Sequence, residues 1–239
     1  MNGTSVRLMT AATLVLTFAA CAKEQTETTP TQDSAAPAMM GAAEYTIVLK
    51  GAWTAANHPL EYPKANPLTG PHFSGLIGAS HNATYSIFQE GALPTPGLER
   101  LSEEGKHTPL DDEIKAAVAA DQAGMLFETG PLRDFNDSLV TTVRVDDAHP
   151  IVSLVAMIAP SPDWFTGVAS VNLMENGGAW AASRTLDLVA YDSGGDDGTT
   201  YKAPDRDNNP KKPTTRAATP HFVVNGVAVP VGGVTFTKK

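Results

Sequence analysis

Ile151-Val-Ser-Leu-Val-Ala-Met-Ile158 runs directly into Ala159-Pro-Ser-Pro-Asp-Trp-Phe-Thr-Gly167. The first stretch is apolar apart from Ser153, and an unbroken apolar run of this length reads as a strand at the centre of a sheet. In the second, Pro160 and Pro162 flank Ser161 and fix an extended, rigid exit. Asp163 is thereby held at the rim of the sheet, with Trp164 and Phe165 beside it.

Outward from this pair, the chain is punctuated as a β-protein. On the N-terminal side, Leu139, Thr141, Val143 and Val145 alternate with Val140, Thr142 and Arg144. Tyr45, Ile47 and Leu49 alternate in the same way with Thr46 and Val48, which places a first strand over residues 44–50. On the C-terminal side, residues 167–173, 184–190 and 199–201 read as strands at short intervals. Residues 222–229 carry an Asn225-Gly226 hairpin signal, and residues 233–237 read as the last strand. Residues 51–71 are loop, because Pro59, Pro63, Pro67 and Pro71 forbid a regular element. Two helices interrupt the strands. A short one over residues 97–105 stops at Gly105. A second starts at Thr108-Pro109-Leu110-Asp111, with Thr108 as the cap, and buries Leu110, Ile114, Ala117 and Val118 through about Gln122. The class is all-β, a β-sandwich with a small helical insert.

The N-terminus has its own logic. Arg7 precedes an uncharged stretch, residues 8–20, which ends at Cys21, the single cysteine. This is the layout of a secretory signal, and the apolar run falls short of the roughly 20 residues a spanning helix needs. Residues 1–20 are expected to be a signal peptide. Phe18-Ala19-Ala20-Cys21 resembles the lipobox of bacterial lipoproteins, which implies that Cys21 is acylated (palmitate among the chains) and anchors the protein to a lipid bilayer. Phe18 departs from the usual leucine. Residues 21–42, rich in Thr, Ala, Pro, Gln and Glu without an aromatic, read as a flexible linker, and residues 43–239 as the folded domain. With Cys21 acylated, no thiol remains for a disulfide, thiolate catalysis or metal binding.

Composition excludes more than it assigns. Of 239 residues, 42% are hydrophobic and 18% charged, and the net charge of −9 comes with no Lys/Arg stripe, so nucleic acid is not an expected partner. The signatures GxSxG, P-loop, GxGxxG, HExxH and EF-hand are absent. The histidines (His58, His72, His81, His107, His149 and His221) are scattered, and a lone loop histidine reads as a hydrogen-bonding or surface residue rather than a base. Tyr191-Asp-Ser-Gly-Gly-Asp-Asp-Gly198 is an acidic, glycine-rich loop directly after a strand. Gathering Asp163, Asp192, Asp196 and Asp197 at one rim costs mutual repulsion unless a cation sits among them. Ca²⁺ takes carboxylates and backbone carbonyls from flexible loops, although Asp and Gly are also simply good turn formers.

Read together, Gly51-Ala-Trp53, His58-Pro59, Tyr62-Pro63, Phe73-Ser74, Ile77-Gly78-Ala-Ser-His81, Gly97-Leu98, Glu104-Gly105, Pro160-Ser-Pro-Asp-Trp-Phe165 and Tyr191-Asp192 with Gly194, Asp196 and Gly198 resemble the spondin domain. The match runs in order from Tyr45 to Phe236. This resemblance implies an antiparallel β-sandwich of about eight strands and an adhesion or ligand-binding role outside the cell rather than catalysis. It also implies a Ca²⁺ site at the sandwich rim, with Asp163 and Asp192 as carboxylate ligands and Asp196 as a further contributor. Animal members carry an acidic ligand where alignment puts Arg144, a charge that would oppose a divalent cation, with Asp146 or Asp147 as substitutes. Met174 replaces a cysteine of those members. Trp53, Trp164 and Trp180 read as packing residues.

The expected protein is a lipoprotein of the bacterial cell envelope, facing the periplasm or the exterior. It presents a non-catalytic domain to an envelope or extracellular ligand, protein or glycan. A metal-free matrix module is the alternative. A hydrolase pairing Asp163 or Asp192 with a histidine would require that pair within hydrogen-bond reach.

Overall fold

A computed structural model describes residues 41–66, 69–135 and 137–239. The signal segment, Cys21 and nearly all of the linker lie outside the described residues. In chain order, β1 (Ala43–Gly51) and β2 (His72–His81) precede α1 (Pro96–Glu104) and α2 (Leu110–Ala119). Then come β3 (Ala123–Leu132), β4 (Ser138–Val145), β5 (Ile151–Ala159) and β6 (Trp164–Asn172). The chain closes with β7 (Ser183–Leu188), β8 (Ala190–Asp192), β9 (Thr215–Arg216), β10 (Val223–Val224), β11 (Val227–Ala228) and β12 (Gly232–Lys238). Among the described residues, β1–β7 and β12 are the strands of six residues or more, matching the expected eight. All named pairings are antiparallel. One sheet runs β4-β1-β12-β7, the other β3-β2-β5-β6-β8-β9, and β10-β11 is a separate hairpin.

The unbroken apolar character of β5 has a specific cause. Val152, Leu154, Ala156 and Ile158 enter the core between the sheets, where they join Tyr45, Ile47 and Leu49 of β1 and Val234 and Phe236 of β12. Val155 faces the other way, into a second core with Ile77 and Ala79 of β2, Phe165 of β6, Leu101 of α1 and Ile114 of α2. An antiparallel sheet commonly leaves one face wet. Here the two helices cover that face and add a third layer, so β5 is buried on both sides.

The helices are tied to each other at their ends. Thr95 Oγ1 accepts from the Leu98 amide at 3.1 Å, and Gly105 closes α1 at φ 67°. Glu113 of α2 accepts from the Gly97 amide at 2.7 Å and from the Thr95 hydroxyl at 2.7 Å. The expected Thr108 cap is not formed: Pro109 occupies the cap position of α2 and no side chain caps it. Residues 199–201, expected as a strand, are irregular.

β2 and β3 have no periodic signature. β2 mixes Phe73, Leu76 and Ile77 with the small residues Ser74, Gly75, Gly78, Ala79 and Ser80, and it is buried along almost its whole length, with neighbouring strands close against the small positions. A Cβ on Gly78 would sit 2.3 Å from Phe127 Cζ and 2.5 Å from the Ser153 carbonyl. At the hairpin, Asn225 and Gly226 take φ of 53° and 79°, the paired left-handed residues of a type I′ turn.

Candidate functional site: a carboxylate-pinned rim loop

Asp163 leaves the β5–β6 connection and is fully buried. Its Oδ2 accepts from the Ser193 hydroxyl at 2.9 Å and from the amides of Gly194 at 3.0 Å, Gly195 at 2.9 Å and Asp196 at 3.2 Å. Successive amides converging on one anion form a nest. Gly194 makes it possible: its φ is 86°, and a Cβ there would meet the Lys212 carbonyl at 2.1 Å. The other oxygen, Asp163 Oδ1, is buried without a hydrogen-bond partner.

Asp192 pairs with Trp164 across β6–β8, which brings its carboxylate to the same place. Its Oδ1 accepts from the Gly194 amide at 2.9 Å, so this one N–H is shared by both carboxylates. The two oxygens therefore lie within about 6 Å of each other, close enough for each charge to disfavour the other. Burial pushes the Asp163 carboxyl up to about 6, with the Asp192 charge adding, against the pull of the bonds from Asp196, Ser193 and Gly195. Burial also raises Asp192, against its bond from Gly194 and the charge of Lys212. Asp192 lines an open groove of about 420 Å³ with Trp164, Arg216 and His221, whereas Asp163 is closed off from solvent.

Asp196 is also buried, but it serves the loop itself. It accepts from the amides of Gly198 at 2.5 Å and Arg206, which takes up both carboxylate oxygens. Asp197 pairs with Arg206 at 2.6 Å. Lys211 reaches Glu99 of α1 at 2.6 Å and the Gly195 carbonyl at 3.2 Å. Part of the repulsion expected in this loop is thus relieved by amides and cations of the chain itself.

Glu103 of α1 is a residue that sequence reasoning did not single out. Its Oε1 is buried without a partner and lies 2.6 Å from where a Gly195 Cβ would stand. Burial, then the charge of Glu99, pushes Glu103 up to about 7. Only the packing of α1 against the rim loop brings it there, and no spacing rule links residue 103 to residue 195.

Arg144 is elsewhere. It pairs with Glu44 on the four-stranded sheet, and its amide faces Met125 Sδ at 3.4 Å. Met125 stands opposite Ser80, which pairs with Val152 near the start of β5. Asp163 lies beyond the far end of β5, roughly 23 Å along the strand. The arginine therefore does not oppose a cation at Asp163, which corrects the alignment-based expectation. Asp146 is held by His149 at that same distant end, with Nδ1 to Oδ1 at 3.1 Å.

No histidine hydrogen-bonds Asp163 or Asp192 among the described residues. His58, His81, His149 and His221 are buried rather than superficial. Besides Thr219 Oγ1 against His221 Nδ1 at 2.7 Å, with Glu61 on Nε2 at 3.3 Å, the described residues bring His81 Nε2 to Ser153 Oγ at 2.7 Å, with Nδ1 against the Asn82 carbonyl at 2.8 Å. Both side chains are wholly inaccessible, and Ser153 Oγ also accepts from the Ser170 amide at 3.0 Å. Burial lowers the His81 pKa and keeps the ring neutral. The pair is a core hydrogen bond beside the β5–β6 irregularity. Trp53, Trp164 and Trp180 are buried, as packing residues are expected to be.

A sandwich of four- and six-stranded antiparallel sheets, backed by two helices and carrying an acidic loop pinned by the aspartate of a Pro-Ser-Pro-Asp-Trp turn, defines the class. The chain belongs to the Spondin_N family, whose model matches residues 43–223. It is 34% identical over 163 residues to Spondin-2 of Homo sapiens, covering 68% of this chain and 48% of that one. Spondin-2 of Rattus norvegicus is 32% identical over 191 residues, covering 79% and 57%. Spondin-1 of Rattus norvegicus is 27% identical over 177 residues, covering 72% and 21%. The chain thus spans about half the length of these Spondin-2 relatives and about a fifth of Spondin-1.

Proposed function

We propose that this chain is a non-catalytic adhesion or ligand-binding module that works outside the cell, with Ca²⁺ ordering its rim loops. The observation that carries the cation is Asp163 Oδ1, a fully buried carboxylate oxygen without a partner, beside the second carboxylate of Asp192. Leaving such an oxygen unmatched is costly, and a divalent cation is the ligand that chemistry of this kind accepts. Asp163 Oδ1 and Asp192 fit as its carboxylate donors. Asp196 would contribute through the loop it braces. No group of three His, Cys, Asp or Glu side chains is gathered tightly enough to hold a metal among the described residues. Backbone carbonyls and water would supply the remaining oxygens. Bound there, Ca²⁺ would neutralise the two buried charges and fix the loop that the ligand meets.

Calorimetric titration of Ca²⁺ into the unacylated full chain tests this reading. One bound ion, lost in Asp192→Asn, is expected. Absence of heat at millimolar Ca²⁺ with no change in melting temperature would favour the metal-free matrix module.

We further propose that Cys21 is acylated and tethers the module to the bacterial cell envelope through residues 22–42. The lipobox-like Phe18–Cys21 stretch supports this. The intact mass of detergent-extracted protein should show a chain beginning at Cys21 with added acyl groups. A chain beginning elsewhere with a free thiol would refute the anchor.

A further inference from the structure

A second concavity lies near the pinned loop but does not share its carboxylates. Tyr62, Lys64 and Thr69 line one side, and Pro160, Thr200 and Lys202 line another, around a cleft of about 740 Å³. That volume falls in the range of small-ligand sites. Two of its lining residues are held in place: Pro160 precedes the buried Asp163, and the Tyr62 hydroxyl donates to the Trp53 carbonyl at 2.8 Å, which holds the ring edge-on against Trp53.

The charges in the cleft do not cancel one another. Lys106, Lys115, Lys211 and Lys239 each sit against a carboxylate, while Lys50, Lys212 and Lys238 make no ion pair among the described residues but do not line this cleft. Lys64 and Lys202 are exposed, and neither makes an ion pair among the described residues. The lining carboxylate, Glu61, is held at φ 49° and turned onto His221 Nε2 at 3.3 Å. Two unpaired ammonium groups in a chain of net charge −9 mark a local preference for an anion.

We propose that this cleft binds an acidic saccharide, a sugar ring carrying a carboxylate. Lys64 and Lys202 meet the carboxylate, and the hydroxyls of Thr69 and Thr200 match ligand hydroxyls. The Tyr62 and Pro160 surfaces receive the apolar face of the ring. An acidic peptide suits the cleft less well. Pro63 and Pro160 offer no backbone N–H, so a strand cannot be added along these walls. The site involves neither Asp163 nor Asp192 and does not depend on a cation there.

The test is titration of digalacturonate, neutral digalactose and triglutamate into the full chain, followed by calorimetry or NMR shifts, in Ca²⁺ and in metal-stripped buffer. Digalacturonate should bind wild type and lose about tenfold in affinity in Lys64→Gln/Lys202→Gln, with the melting temperature unchanged. Tyr62→Leu should weaken it as well, and digalactose should bind about tenfold less tightly than digalacturonate. No binding of digalacturonate in either buffer overturns the proposal. So does binding unaffected by the double lysine substitution. Triglutamate binding as tightly as digalacturonate would assign the cleft to acidic peptides instead.

Discussion

In metal-stripped buffer at neutral pH, Asp163→Ala should lower stability by about 3 kcal/mol while Asp163→Asn changes it far less. Alanine removes the common acceptor of the Ser193 hydroxyl and the Gly194, Gly195 and Asp196 amides, in a place closed to solvent. Bonds to a charged acceptor contribute about 1.5–3 kcal/mol each, and the relief of a buried charge offsets only part of that loss. For a domain of this size the melting temperature would fall by roughly 6–12 °C. Asparagine keeps an acceptor oxygen for the nest and places its amide where Oδ1 now stands unmatched. The asparagine variant carries no buried charge and should therefore fold at least as well as metal-free wild type, yet lose the stabilisation that the proposed Ca²⁺ would give wild type. Equal destabilisation by both substitutions would mean that the charge, rather than the acceptor, holds the loop. Thermal melts of the three proteins with and without Ca²⁺ decide the matter.

Asp163 and Glu103 should also make the metal-free protein lose stability as pH rises from about 4 to about 7, against the opposite pull of His58 and His81, whose pKa burial holds below the usual imidazole value. Asp163 and Glu103 are raised to about 6 and about 7 in the folded chain, above their ordinary values of 3.8 and 4.5. A carboxyl whose folded pKa is raised binds its proton more tightly folded than unfolded. Its contribution is fully present below the unfolded value and is lost as pH climbs through the folded one. For buried Asp163 this amounts to about 3 kcal/mol, an order-of-magnitude figure. On the proposed reading Ca²⁺ would take the place of the proton, so adding it at pH 7 should recover most of the loss by mass action. Melting temperatures at pH 5 and pH 7.5, each with and without Ca²⁺, give four numbers. Stability should fall more between pH 5 and pH 7.5 in metal-free wild type than in Asp163→Asn/Glu103→Gln, which keeps the contribution of His58 and His81, and an equal pH response in the two proteins would falsify the account.

The legible part of the fold followed from local rules. Alternation in residues 44–50 and 139–145 marks strands because one face of each meets the core, as Tyr45 and Val143 do. Asn225-Gly226 marks a hairpin because both residues tolerate positive φ. The illegible part came from neighbours distant in sequence. In β2 the alternation is interrupted by small residues such as Gly78, on which Phe127 and the β5 backbone press, so the usual strand signal is weakened. The Thr108 cap failed because Pro109 itself takes the cap position.

For the site, residue types brought forward Asp163, Asp192, Asp196 and Asp197 as an acidic rim, and the resemblance to the spondin domain narrowed these to Asp163, Asp192 and Asp196. Their division of labour was decided by the tertiary structure. Register across β6–β8 sets Asp192 beside Asp163, and the conformation of Gly194 aims three amides at one oxygen and leaves the other bare. Packing of α1 brings Glu103 to the same loop, and the length of β5 keeps Arg144 away from it. The sequence by itself determined the family, the sandwich and the acidic rim, because each is carried by residue type and short-range pattern. Which oxygen is satisfied, which is bare and which charges are near depends on contacts between segments far apart in the chain, and only the folded structure decides those.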